Sequence, residues 1–217
     1  MTSAWIAQTR WWVLAVAGLV LGALPAQAQR VSLTDLQNQI AASVTCPAAL
    51  PGQPRFVDKG DGTVCDSATG LMWEKKLACA DSTNPRCVGN LYGWSSISPF
   101  AEPNGTLYSD FLNRLNDLKT PNDGTATPCF ATHCDWRIPT IGELRSILIA
   151  NFPGCTLLPC IDPTLGPTQI GAYWSSSTDT SFVFAAWSIS FDIGLVFLGH
   201  KNPLNNILYA RAVRGGR

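Results

Sequence analysis

The sequence predicts an α+β domain of antiparallel β-sheets, two main helices and long loops pinned by disulfides. Three observations predict it. Turn signals separate short apolar runs early in the chain and again late in it. Only two later segments carry apolar residues at helical spacing. Eight cysteines follow an apolar leader, and an even cysteine count in an exported chain reads as a disulfide framework.

The leader comes first. Arg10 supplies a positive charge, and residues 11–24 run apolar, broken only by glycines. That run is 14 residues, short of the roughly 20 a membrane-spanning helix needs. Ala26-Gln27-Ala28 closes it with the small-x-small pattern of a signal-peptidase site. Residues 1–28 are therefore expected to be a cleaved signal peptide, leaving no membrane span. Residues 29–54 form a lead-in segment with a short helix, since Leu33, Leu36 and Ile40 lie at helical spacing behind Ser32. Residues 55–217 form the domain proper.

Within the domain, 55–58, 63–66 and 71–74 read as strands joined by Lys59-Gly60-Asp61-Gly62 and Ser67-Ala68-Thr69-Gly70 turns. Residues 77–107 are rich in Gly, Pro, Ser and Asn and read as a long loop. A helix is expected over 108–118, with Phe111, Leu112 and Leu115 on its apolar face and Ser109 as cap. Asp135-Trp136-Arg137-Ile138-Pro139 is an extended run into a second helix. Thr140 and Glu143 form a capping box there, and Leu144, Ile147 and Leu148 supply its apolar face. Strands follow at 172–176, 182–191, 194–198 and 208–213, with Asp192-Ile193-Gly194 as a tight turn.

The eight cysteines allow 105 pairings. Proximity favours Cys79–Cys87, Cys129–Cys134 and Cys155–Cys160, which leaves Cys46 with Cys65. None of the spacings is the Cys-x₂-Cys of a zinc site, and His133 and His200 are the only histidines.

Losing Arg10 leaves 14 basic residues against 15 acidic ones, a formal charge of −1. Such a balance gives no drive toward nucleic acid and no general drive toward sulfated polysaccharide. Gly-x-Ser-x-Gly and His-Glu-x-x-His patterns are absent from the sequence, and two histidines leave little for a nucleophile–histidine site. The expectation is a non-enzymatic module without a cofactor.

Four groups carry the candidate ligand chemistry. Asp58, Asp61 and Asp66 lie among glycines and are weak calcium candidates, though carboxylates also suit hairpin turns. Asp135 and Arg137 flank Trp136; they would either expose a charged pair beside a cleft or, with Trp136 in the core, pair to fix the strand. Trp174, Ser175 and Ser176 place a ring beside hydroxyls, as a sugar site does, but also as a plain sheet does. Arg211 and Arg214 lie on opposite strand faces, Arg211 inward toward a carboxylate and Arg214 solvated. With His200, Lys201 and Arg217 they form the local basic cluster.

Five motifs then come in one order: Phe56-Val57-Asp58-x-Gly-Asp-Gly-Thr-Val, Asp66-x-x-Thr-Gly-Leu-Met-Trp, Asp135-Trp-Arg-Ile-Pro-Thr-x-x-Glu-Leu, Tyr173-Trp-Ser-Ser-Ser and Tyr209-x-Arg-x-Val-Arg-Gly-Gly. Over about residues 55–216 the chain resembles the bacterial domain family of the Legionella collagen-like adhesin C-terminus. The resemblance implies a C-type-lectin-like architecture of the kind shared with formylglycine-generating enzymes. It also implies binding to host surfaces or sulfated glycosaminoglycans. This chain departs from that relative in having no Gly-x-y repeat and no basic charge. The function expected is a secreted, periplasmic or cell-surface binding module for a glycan or another surface polymer. The alternative is an assembly component that docks on protein; an oligomer is compatible with either. A glycan module would show a cleft lined by exposed rings, and a docking module a flat apolar patch.

Overall fold

The computed structural model describes residues 46–79, 81, 83–117, 129–150, 153–156 and 158–216. The expected signal peptide, the lead-in helix, Leu118 and Arg217 lie outside the described residues.

The hairpin signals produce strands β1 (Phe56–Asp58), β2 (Thr63–Asp66) and β3 (Leu71–Glu74). Asp61 closes the first turn by accepting the Thr63 N–H at 2.9 Å, and Gly62 sits at φ +90° where a side chain would strike Arg86. Helix α1 is π-helical over Leu107–Leu112 and α-helical over Asn113–Leu115. Its N-cap is Thr106 rather than the expected Ser109. Ser109 lies inside the helix and bonds back to Gly105 O at 3.1 Å.

Helix α2 (Ile141–Ser146) begins at the expected capping box, with the Thr140 side chain on the Glu143 N–H and the Glu143 side chain on the Thr140 N–H. Strands β4 (Ala172–Thr178), β5 (Ala185–Ser190) and β6 (Leu195–His200) follow, and β7 (Val213–Gly215) ends the described chain.

Two antiparallel sheets result, ordered β1-β2-β3-β7 and β4-β5-β6. The segment before β7 stitches them together. Leu208 bridges to Tyr92, Tyr209 to Tyr173 of β4, and Val213 both to Trp73 of β3 and to Arg137. Alternation along the strands divides the core in two. Met72 and Trp174 join one cluster with Trp94, Phe111 and Trp136. Trp73 and Tyr173 join the other with Leu144, Ile189 and Phe191. Both faces of β3 are therefore covered, and β2 and β3 are buried throughout.

Four disulfides join Cys46–Cys65, Cys79–Cys87, Cys129–Cys134 and Cys155–Cys160, the pairs that proximity predicts. A framework of this density belongs to an oxidising, extracytoplasmic compartment. Among the described residues, no helix is long and apolar enough to cross a membrane.

The expected strand over 182–191 is shorter than its apolar run. Asp179 Oδ1 accepts the N–H groups of Ser181 and Phe182, both at 2.9 Å, and the Ala185 N–H returns to Phe182 O at 2.8 Å. This Asx-type turn diverts the chain, so β5 starts only at Ala185 and Phe182, Val183 and Phe184 remain outside the ladder.

Candidate functional site

That turn builds the most distinctive surface of the domain. Phe182, Val183 and Phe184 are 51%, 54% and 41% exposed. Three consecutive apolar residues on a surface are a fault in a sequence unless they are used. Phe184 lies against Phe182 at 5.8 Å between centroids and stacks on His200 at 5.2 Å with the rings 29° apart. From the other side, Phe100 meets His200 edge-on at 6.2 Å. Ile97, exposed in the same loop, accepts the Phe100 N–H at its carbonyl at 2.8 Å. Phe100 sits at φ +61°, a conformation that a bulky residue adopts only when its surroundings impose it.

The loop over 96–104 is closed by Asn104, whose Oδ1 accepts the Ser96 N–H at 2.8 Å. Beneath the rings sits Lys201. Its Nζ donates to Thr178 Oγ1 and Val183 O, both at 2.8 Å, and to Ala101 O at 3.3 Å. One ammonium therefore ties the 96–104 loop, the 179–184 loop and the end of β6 together. Burial lowers its pKa to about 8, with Glu102 opposing the shift.

Lys201 was expected among solvent-facing basic residues, and its enclosure corrects that expectation. Arg211 is likewise fully enclosed, donating to Leu165 O at 2.9 Å, Pro167 O at 3.2 Å and Thr168 Oγ1 at 2.5 Å. It points inward as expected, but onto carbonyls and a hydroxyl rather than a carboxylate. Arg214, expected to be solvated, is buried. It bonds Asp135 at 2.7 Å across from Met72, because the second face of the sheet is covered as well. Among its described members the basic cluster is therefore not a surface patch; of these, half-buried His200 alone packs against an exposed ring, that of Phe184.

The remaining candidates are also corrected. Asp135 and Arg137 do not pair with each other. Arg137 instead holds Glu143 through two bonds of 2.8 and 2.5 Å. Burial raises the Glu143 pKa, but Arg137 and the Thr140 N–H more than offset it, so the net shift is downward. Trp136 is core, with its Nε1 on Phe130 O at 3.0 Å. Trp174 is enclosed, with Nε1 on Tyr92 O at 2.8 Å, so its ring offers no stacking face to a sugar. Ser175 is buried, and its Oγ bonds Trp187 O at 2.5 Å. Half-buried Ser176 donates its N–H to Pro139 O at 2.9 Å.

The three aspartates are not gathered for calcium. Asp58 pairs with Lys75, Asp61 serves its own turn, and Asp66 accepts two bonds of 2.7 Å from Arg55. Among the described residues, no cluster of three metal-ligating side chains forms.

The sequence reading passed over Glu74 and Lys76, which form a buried pair at 3.0 Å. Burial lowers Lys76 to about 8 against the pull of Glu74, and its ammonium lies 4.4 Å from the centroid of Phe111. A separate apolar hollow of about 540 Å³ lies among Ile149, Leu158, Pro159, Ile161, Pro163 and Pro167. Thr168 is the single polar side chain lining it, so it lacks the converging polar groups of a specific small-molecule site.

No curated protein matches the chain. A family profile, that of the Lcl C-terminal domain, does match it, over residues 62–214. The matched span includes both sheets and the 179–184 turn, all but β1 and the first and last described residues. By this match the chain belongs to the family of the Legionella collagen-like protein (Lcl) C-terminal domain, a disulfide-rich domain of an adhesin-like protein.

Proposed function

We propose that this chain is an exported docking module that holds a protein partner at the aromatic end of its second sheet. The observation that carries the reading is the exposed run Phe182, Val183 and Phe184, with half-buried Phe100 and His200 packed beside it. Sugar recognition combines a stacking ring with polar groups that fix the hydroxyls, and Trp and Tyr supply both from one side chain. Here Trp73, Trp94, Trp136, Trp174, Tyr92 and Tyr173 are buried and Trp187, Tyr108 and Tyr209 half-buried, and the exposed rings, Phe182 and Phe184, are phenylalanines. Phenylalanine gives apolar area without a hydrogen-bonding handle, which suits the buried centre of a protein interface. The enclosure of Lys201, Arg211 and Arg214 also removes the attraction a sulfated glycan would need.

The test is binding of the labelled chain to envelope preparations treated beforehand with either protease or periodate, together with a glycan array. Expected are loss of binding after protease, retention after periodate and no specific array signal. A Phe182→Ser/Phe184→Ser double variant should lose most of the binding while keeping its near-UV circular dichroism. Binding that survives protease but not periodate would overturn the proposal in favour of a glycan ligand.

A further inference from the structure

An edge strand carries unpaired N–H and C=O groups, so proteins shorten, cover or charge their sheet edges. Three of the four edges here are treated in this way. β1 has only three residues. β7 exchanges backbone bonds with Arg137 through Val213, both at 2.9 Å. The outer side of β4 is met by Tyr209, whose carbonyl accepts the Trp174 N–H at 3.0 Å, and by Pro139. β6 is different. Among the described residues its one strand neighbour is β5, and its six residues, Leu-Val-Phe-Leu-Gly-His, include no proline, lysine or acid.

The register shows which groups are open. The Lys201 N–H donates to Phe184 O at 2.8 Å, one step beyond the pairing of His200 with Ala185. Antiparallel bonds link alternate opposed pairs. Leu195, Phe197 and Gly199 therefore turn their backbone groups toward β5, and Val196, Leu198 and His200 turn theirs to solvent. Leu195 and Leu198 are also exposed as side chains.

We infer that β6 is the edge to which a second copy of this chain adds, antiparallel, across a twofold axis. Opposed residues must lie on the same face of a sheet, so two identical strands can pair only about a residue facing itself. With Leu198 opposite Leu198, Val196 of one copy meets His200 of the other, and all three outward groups are used. Leucine then packs on leucine at the axis. The strand carries no formal charge when His200 is neutral, so the copies meet without repulsion. The same lack of charge offers nothing to select a foreign strand. The interface is isologous and closed, and the two second sheets become one continuous sheet. This inference goes beyond the docking proposal and does not depend on it.

The test combines sedimentation of the purified chain over a range of concentrations with amide exchange resolved by residue. Expected is a shift from monomer to dimer with rising concentration. In the dimer, the amides of Val196, Leu198 and His200 gain protection, whereas those of Phe197 and Gly199 are protected throughout. Leu198→Lys sets like charges across the axis and should return the chain to monomer at the same concentration. Phe182→Ser should leave the dimer intact, so the docking proposal and this one fail separately. A monomer at every concentration overturns the inference, as does a dimer in which the three outward amides still exchange fast. Protection that requires an added protein also overturns it. The exchange measurement on the unaltered chain decides the question even if Leu198→Lys folds poorly.

Discussion

The Lys201 ammonium lies 3.7 Å from the centroid of the Trp94 ring. Trp94 itself is anchored through Nε1 to Ser175 O at 3.0 Å, so a buried indole of the core fixes a cation, and the cation fixes the two loops that carry the exposed rings. The same device recurs at Lys76 over Phe111 and Arg86 over Phe130. A domain that uses cations in this way keeps them from its ligands.

Replacing Lys201 by Met should therefore act on the loops as well as on the fold. The variant loses a desolvated cation–π contact of up to about 2 kcal/mol and leaves Val183 O and Ala101 O without their donor, so a total loss of about 2–4 kcal/mol is expected. Limited proteolysis should cut first in 96–104 and 179–184. Cleavage spread evenly over the chain, or unchanged stability, would contradict the pinning role.

Trp136 is 2% exposed, and its backbone is clamped by Asn116, which accepts its N–H at 2.9 Å and donates to its carbonyl at 2.8 Å. Trp136→Ala removes a large ring from the core, at about 3–5 kcal/mol. Denaturant unfolding should show this loss, and an unchanged midpoint would place Trp136 outside the core.

Features set by local chemistry were legible in the sequence. The Thr140–Glu143 capping box, the Asp61-Gly62 turn and the neighbouring cysteine pairs each depend on residues a few positions apart. What escaped depends on distant partners or on a cue that reads two ways. Arg214 meets Asp135 across 79 positions, and no spacing rule links them. Alternation placed Arg211 and Arg214 on opposite faces, but it could not show that both faces of β3 and β7 are covered. Phe182-Val183-Phe184 has the composition of a buried strand. Only Asp179, three positions upstream of Phe182, signalled the turn that leaves it exposed.

Alkaline pH should first stabilise the protein and then destabilise it. Lys76 and Lys201 release their protons at about 8 in the folded chain, whereas an unfolded lysine keeps its proton to about 10.4. From pH 8 upward the unfolded state binds more protons, so stability rises, by an amount on the order of a few kcal/mol. Above about 10 the sign reverses. Unfolded tyrosines ionise there, while burial holds Tyr173 up to about 12 and raises Tyr92 and Tyr108 as well. Urea midpoints across this range should pass through a maximum, and Lys76→Met should flatten the rising limb. A steady decline from pH 8 would show that neither lysine is buried as described.

Heparin should hold this domain weakly. Lys76, Arg86, Lys201, Arg211 and Arg214 are buried. Arg55, Lys75, Arg114 and Arg137 are each in an ion pair with a carboxylate. Among the described residues, Lys59 and Arg145 are the exposed cations in no ion pair. Binding to a polyanion gains from the counterions released by each neutralised charge, and the two exposed cations among the described residues release few. Screening over about 8 Å at physiological ionic strength removes most of what remains. Elution at or below physiological salt is therefore expected on a heparin column. Elution only well above that salt would mean that exposed cations are gathered into one face, and a sulfated ligand would then have to be restored to the account of this domain.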